Sequence, residues 1–232
     1  MTISNDTRGR IKKLSEPVAL ALGRLGLTPD GLTLVGFGIT AIGAILLASQ
    51  LWLAGGLVVF IGGMFDMFDG TLARATGRVS RFGAFMDSVF DRWGEALVYV
   101  GLVAGLHASG WVDAPTYAAA AMAGAFLVSY VRAKAEGLGF SPGTGMAAIG
   151  IMPREIRLMI LCGGLVLGGL IGADLVVPEG GYRGAGGVAL PQGMLVIEGS
   201  LAIIAIGATI TVIQRVLHVR AQAAGGAGER AS

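Results

Sequence analysis

Four aspartates stand in a fixed frame in the apolar middle of this 232-residue chain. Residues 65–91 read FDMFDGTLARATGRVSRFGAFMDSVFD, so Asp66 and Asp69 are followed by Gly70, Ala73, Arg74, Gly83, Asp87 and Asp91. Both carboxylate pairs lie in or beside segments apolar enough to enter a bilayer. A charged side chain at membrane depth costs roughly 3 kcal/mol, so four of them need a neutralising partner. Clustered oxygen ligands without nearby His or Cys suit Mg²⁺, Mn²⁺ or Ca²⁺ rather than zinc.

A helix turns through 100° per residue, which puts Asp87 and Asp91 on one face, one turn apart. Asp66 and Asp69, three residues apart, also share a face. Two helices joined by the basic stretch between them can therefore aim four carboxylates into one pocket. Such a pocket can hold two divalent ions, the clamp used for attacking and leaving oxygens in phosphoryl chemistry. Gly70 and Gly83 let a large ligand approach the backbone. Arg74 has the planar fork that grips phosphate. The plainer reading makes these acids charges at the membrane rim, neutralised by Arg74, Arg78, Arg81 and Arg92.

Elements that could position this frame follow from composition. The chain is 54% hydrophobic and 14% charged, with a mean hydropathy of +0.74. Soluble domains carry about 25% charged residues, so this is a membrane protein by composition. The 40 glycines show no collagen period and are spread through apolar segments, where small residues let helices pack closely. A formal charge of +2 gives no reason to expect a nucleic-acid partner. The single Cys162 cannot form an internal disulfide and reads as a small packing residue. The first apolar run long enough for a signal sequence begins near Leu32, so no cleavable signal peptide is expected.

The expected fold is an all-α integral membrane protein with six transmembrane helices after an amphipathic surface helix. Residues 8–27 place Ile11, Leu14, Val18, Leu22 and Leu25 at helical spacing against Arg10, Lys12, Lys13 and Arg24. A packed cytosolic helix would show the same pattern. Thr28-Pro29-Asp30 then breaks the chain and opens the next helix. Spans are predicted near 32–52, 54–73, 84–107, 115–136, 155–175 and 193–217, each about the ~20 residues a crossing needs. Residues 137–153 and 176–192 form two Gly/Pro-rich connections, and the tail 221–232 is expected to be flexible. The whole chain, 1–232, reads as one domain with a core over 32–217. Of 17 Lys and Arg residues, all but Arg183 fall on one side of this topology. The positive-inside rule puts both termini and the aspartates at the cytoplasmic face.

The frame D-x2-D-G-x2-A-R-x8-G-x3-D-x3-D, matched at every specified position, resembles the signature of the CDP-alcohol phosphotransferase family. The resemblance implies a homodimeric six-helix membrane enzyme with an amino-terminal surface helix. It implies that Asp66, Asp69, Asp87 and Asp91 hold two divalent cations, Mg²⁺ or Mn²⁺, and that Asp91 is also the general base. It assigns a CDP-linked lipid to Asp30, Gly31, Leu32, Thr33, Asp69, Gly70, Ala73, Arg74, Ser80 and Gly83. The acceptor hydroxyl, deprotonated by Asp91, would attack the lipid-bearing β-phosphorus, and CMP would leave.

The signature leaves the acceptor open. A second group of cations, Arg132, Lys134, Arg154, Arg157 and Arg215, should face the same aqueous side and suits an acceptor that carries its own phosphate. Each is also where topology alone places a cation. The stretches LGLTPDGLTLVG, FDMFDGTLAR, SYVRAKAEG, Arg154-x-x-Arg157 and IQRVLH resemble the phosphatidylinositol phosphate synthases of actinobacteria, a group within that family. That likeness implies inositol phosphate as acceptor and CDP-diacylglycerol as donor. The order Arg132-then-Lys134 and the sequence Arg154-Glu155-Ile156-Arg157 both depart from the group's usual pattern. Glycerol 3-phosphate is the alternative acceptor, and a divalent-cation transporter is the distant alternative outside this chemistry. Glu95, one turn beyond Asp91, either supports the site or pairs with a nearby cation. Glu198 reads as a helix-packing hydrogen-bond partner, and loop 137–153 as a mobile cover over the acceptor pocket.

Overall fold

The computed structural model describes residues 16–140, 145–173 and 192–229. Among these the chain is helical, with no strand. After α1 (16–24) come α2 (Pro29–Ala48), α3 (Trp52–Ala75), α4 (Arg81–Ala108) and α5 (Ala114–Gly137). A 3-10 turn (Met146–Ala148) leads to α6 (Arg154–Gly168), which runs into a π turn (Gly169–Ala173); α7 (Gln192–Glu229) closes the described chain.

Local chemistry sets the starts. The Thr28 hydroxyl accepts from Gly31 N at 3.1 Å, with Pro29 in the first turn, so α2 begins where the sequence predicted a break. Ser80 caps α4 in the same way, accepting from Gly83 N at 2.9 Å. At the far end of α6, Gly172 takes φ 103°, a conformation costly for any residue with a Cβ.

Five helices, α2, α3, α5, α6 with its π turn, and α7, are long and apolar enough to cross a bilayer. The third predicted span is α4, 28 residues long, which carries Asp87, Asp91, Arg92 and Glu95 within its first fifteen residues. One expectation changes. Helix α7 continues to Glu229, so residues 221–229 extend a helix rather than a flexible tail. Ala221, Gln222, Ala223 and Ala224 favour helix, whereas Gly225, Gly226 and Gly228 beyond them do not. Residues 8–15 of the predicted surface helix, residues 174–191 of the second long connection, and Arg183 lie outside the described residues.

Packing does not follow the simple picture of α3 against α4. Helix α2 packs along both of them, while α3 and α4 scarcely touch; α6 lies on α3, and α5 and α6 lie on α7. Small residues allow this. A Cβ at Gly36 of α2 would stand 2.9 Å from Phe65 Cβ, and one at Gly101 of α4 would stand 2.9 Å from the Ala44 carbonyl carbon. Close backbone approach of this kind drives helix association where apolar burial gives no advantage over lipid. Gly101→Val is therefore expected to separate α4 from α2, costing about 1–3 kcal/mol or more. A lower monodisperse yield in detergent and a lower apparent Tm would report it.

The main apolar core joins Trp52, Tyr99, Leu102, Leu106, Leu165 and Leu201. A smaller cluster docks α1 on the bundle, with Ala19 buried against Leu32, Phe68 and Leu72. Glu198 of α7 accepts at 2.8 Å from the indole of Trp111, in the connection between α4 and α5, so its bond ties a loop to a helix rather than two helices. Cys162 is buried and free, consistent with a packing role.

Candidate active site

The acidic residues of the frame gather where α3 and α4 flank α2. Asp69 is buried and its carboxylate accepts from the Thr33 hydroxyl of α2 at 2.5 Å and from Gly70 N. Asp69 lies within electrostatic range of Asp66 and Asp87, and Asp91 within range of Asp66 and Asp87. Gly36 matters here too, because a Cβ there would sit 3.4 Å from Asp66 Oδ1. The absence of that Cβ lets α2 pass beside the carboxylate.

Arg154, the first residue of α6, reaches into this cluster. Its Nη2 donates to Asp66 Oδ2 at 2.6 Å and its Nη1 lies 2.8 Å from Asp91 Oδ1. One guanidinium thus spans the two helices that carry the frame. A pocket opens beside it, bounded by Thr33, Asp66, Asp91, Glu95, Arg154 and Arg157 on its polar side and by Phe37 and Phe90 among its apolar residues.

Behind the pocket is an ion network that spacing alone did not disclose. Arg157, 1% exposed, donates from Nε and Nη2 to Glu95 Oε1 at 3.2 and 2.9 Å. Its Nη1 donates to the Met152 carbonyl at 3.2 Å. Arg92 donates from Nη1 to Glu95 Oε2 at 2.8 Å and to the Ser129 hydroxyl at 2.5 Å, and its Nη2 stands 3.5 Å from Asp91. Of the two sequence readings of Glu95, both hold: it pairs with cations, and one of them adjoins Asp91. The helical phase of Glu95 was visible from Asp91. Its partner Arg157, on another helix, was not.

Arg215 is 3% exposed, with Nε donating to the Ile149 carbonyl at 2.9 Å and Nη1 to the Val128 carbonyl at 2.5 Å. Met152 N donates to Thr211 at 3.0 Å. These bonds staple residues 149–152 to α5, α6 and α7, so this part of the expected mobile cover is fixed; residues 141–144 lie outside the described residues. Arg132 and Lys134 are exposed near the end of α5, where Arg132 pairs with Glu136 at 3.0 Å.

The residues that the resemblance assigns to the CDP-lipid lie at the ends of α2, α3 and α4. A Cβ at Gly83 would stand 3.4 Å from Asp30 Oδ1, and one at Gly70 would stand 3.3 Å from Arg74 Nη1. Arg74 and Ser80 are exposed, as a contact for a large ligand requires, whereas Leu32 and Thr33 are buried.

Among the described residues no three Asp, Glu, His or Cys groups meet at ligating geometry. Arg154 holds Asp66 and Asp91, and Thr33 holds Asp69. The donor set itself fits a hard divalent ion. It is all carboxylate, and Asp66, Asp69, Asp87, Asp91 and Glu95 outnumber the three guanidinium groups of Arg92, Arg154 and Arg157.

Long apolar helices around a buried acidic and basic site define an integral membrane enzyme. The CDP-alcohol phosphatidyltransferase family model matches residues 26–177. The chain belongs to that family and is a phosphotransferase. It is 36% identical to the phosphatidylinositol phosphate synthase of Mycolicibacterium smegmatis over 220 residues, which span 92% of this chain and 87% of that one. It is 36% identical to the archaetidylinositol phosphate synthase of Pyrococcus horikoshii over 154 residues, 66% of this chain and 77% of that one. A crystal structure of Mycobacterium tuberculosis phosphatidylinositol phosphate synthase with manganese and citrate superposes with a TM-score of 0.70 at 28% identity, covering 88% of each chain. The same enzyme with CDP-DAG bound gives 0.70 at 27% identity, covering 89% of this chain and 94% of that one.

Proposed function

We propose that this protein transfers a phosphatidyl group from CDP-diacylglycerol to inositol phosphate, giving phosphatidylinositol phosphate and CMP. The observation that carries this reading is the gathering of Asp66, Asp69, Asp87 and Asp91 beside Arg154, in a chain whose relatives carry phosphatidylinositol phosphate synthase names. Asp30 to Thr33, Gly70, Ala73, Arg74, Ser80 and Gly83 would hold the CDP-lipid, with the two glycines leaving room for pyrophosphate against backbone. Asp66, Asp69, Asp87 and Asp91 would hold two divalent ions, Mg²⁺ or Mn²⁺, which when bound neutralise the pyrophosphate and favour CMP departure.

Asp91 takes the proton of the acceptor hydroxyl, whose oxygen forms the new bond to the β-phosphorus as the bond to CMP breaks. Arg154, on the pocket wall, and the exposed Lys134 and Arg132 are the cations placed to meet the acceptor's phosphate. Arg157 and Arg215, whose described hydrogen bonds are to protein groups, act through the framework that positions Arg154.

The same reading makes the chain one domain, with α4 as a sixth span, α1 on the cytoplasmic membrane surface and both termini cytoplasmic. The charge bias supports that orientation. A homodimer is part of the reading through the family alone.

Purified protein with CDP-diacylglycerol and Mg²⁺ or Mn²⁺ is expected to release CMP with inositol phosphate, and not with free inositol, glycerol 3-phosphate or serine. Chelation by EDTA should abolish turnover, and readded metal should restore it. CMP release with glycerol 3-phosphate alone would reassign the acceptor, and no release with any of the four would remove the function.

A further inference from the structure

Arg154 carries a consequence that acceptor binding does not exhaust. Its two terminal nitrogens occupy one oxygen each of Asp66 and Asp91, at 2.6 and 2.8 Å. Those carboxylates come from different helices, α3 and α4, which scarcely touch each other directly. The Arg154 side chain is only 30% exposed, so water screens this bridge weakly. A guanidinium seated on one oxygen of each acid blocks a dication's approach between them and repels it electrostatically.

We propose that Arg154 and a divalent cation are mutually exclusive partners of the Asp66–Asp91 pair, so that metal loading expels the guanidinium into the adjoining pocket. This rests on the metal-assisted reading above. It gives Arg154 two alternating partners, the acids of the metal site and the anion of the acceptor, and makes metal entry the step that frees it for the second. Arg157 cannot play this part, because all three of its nitrogens are held by Glu95 and the Met152 carbonyl.

The test is Mn²⁺ binding to the full-length protein in detergent, followed by electron paramagnetic resonance without any lipid or acceptor. Arg154→Gln, which removes the competitor, is expected to bind Mn²⁺ about tenfold tighter or more, since charged hydrogen bonds of this kind each outweigh that factor. Arg154→Lys keeps the charge but cannot span both acids, and should also bind tighter than the parent. Equal or weaker Mn²⁺ binding by Arg154→Gln overturns the exclusion. Arg154→Lys indistinguishable from the parent, beside a tighter Arg154→Gln, reduces the effect to charge repulsion and likewise overturns it.

A second measurement needs no substitution. Phenylglyoxal modification of Arg154 in the unaltered protein, followed by mass spectrometry, should quicken several-fold when Mn²⁺ is added, and an unchanged or slower rate counts against expulsion. The two readings fail separately. Unaltered protein that binds Mn²⁺ and releases CMP, with no gain in Arg154→Gln, sinks the exclusion alone; unaltered protein that binds no Mn²⁺ sinks the metal-assisted reaction as well.

Discussion

Asp91→Asn is expected to bind CDP-diacylglycerol within a few-fold of the parent while CMP release falls by about 10²–10⁴-fold, the range for loss of a positioned general base. Asparagine keeps the size and one acceptor oxygen but has no proton affinity to offer an acceptor hydroxyl. Binding should largely survive because Asp30, Gly70, Arg74 and Gly83 lie at the ends of α2, α3 and α4, and Asp66, Asp69 and Asp87 keep their carboxylates for the metal. The substitution also removes the ion pair to Arg154 at 2.8 Å, so folding must be checked by apparent Tm alongside turnover. CMP release at the parental rate would take Asp91 out of the base's role. Loss of CDP-lipid binding in step with turnover would make it a substrate-holding residue instead.

The second large effect concerns stability. Arg157 is 1% exposed, and removing it leaves Glu95 with Arg92 as its remaining cation and frees the Met152 carbonyl. Glu95 keeps only 12% of its side chain exposed, so its charge cannot recover much hydration. Breaking one partner of a buried pair costs about 3–5 kcal/mol. Arg157→Ala should accordingly lower the apparent Tm by on the order of 10 °C. The double variant Glu95→Gln with Arg157→Met should recover much of that loss, because no unpaired charge is left buried. If Arg157 instead gripped the acceptor's phosphate directly, Arg157→Ala would keep the parental Tm and raise the acceptor KM. The two outcomes separate a framework residue from a substrate contact.

These residues also show where linear reasoning stops. Glu95 could be placed on the face of Asp91 by counting turns, since helical phase is local. That Arg157 would meet it depends on where packing against α3 and α7 sets the start of α6, a choice made over long separations. Arg154, Arg157 and Arg215 look alike in sequence, as cations at the edges of the predicted apolar spans. Burial divides them: Arg154 is part-exposed and holds Asp66 and Asp91, whereas Arg157 and Arg215 are buried and spend their donors on Glu95 and on backbone carbonyls. Ile149 and Met152, at the end of the loop expected to cover the pocket, accept from those same donors.

The aspartate frame, the apolar helices and the helix starts at Thr28 and Ser80 were determined by sequence alone, because each depends on residues within a turn or two of one another. Hydropathy over ~20 residues decides membrane entry, and spacing decides which carboxylates share a face. Only the tertiary structure decided that α2 would lie between the two halves of the frame and that Arg154 would bridge Asp66 to Asp91. Those contacts join residues far apart in the chain through close helix approach, and no local pattern encodes which helices will meet.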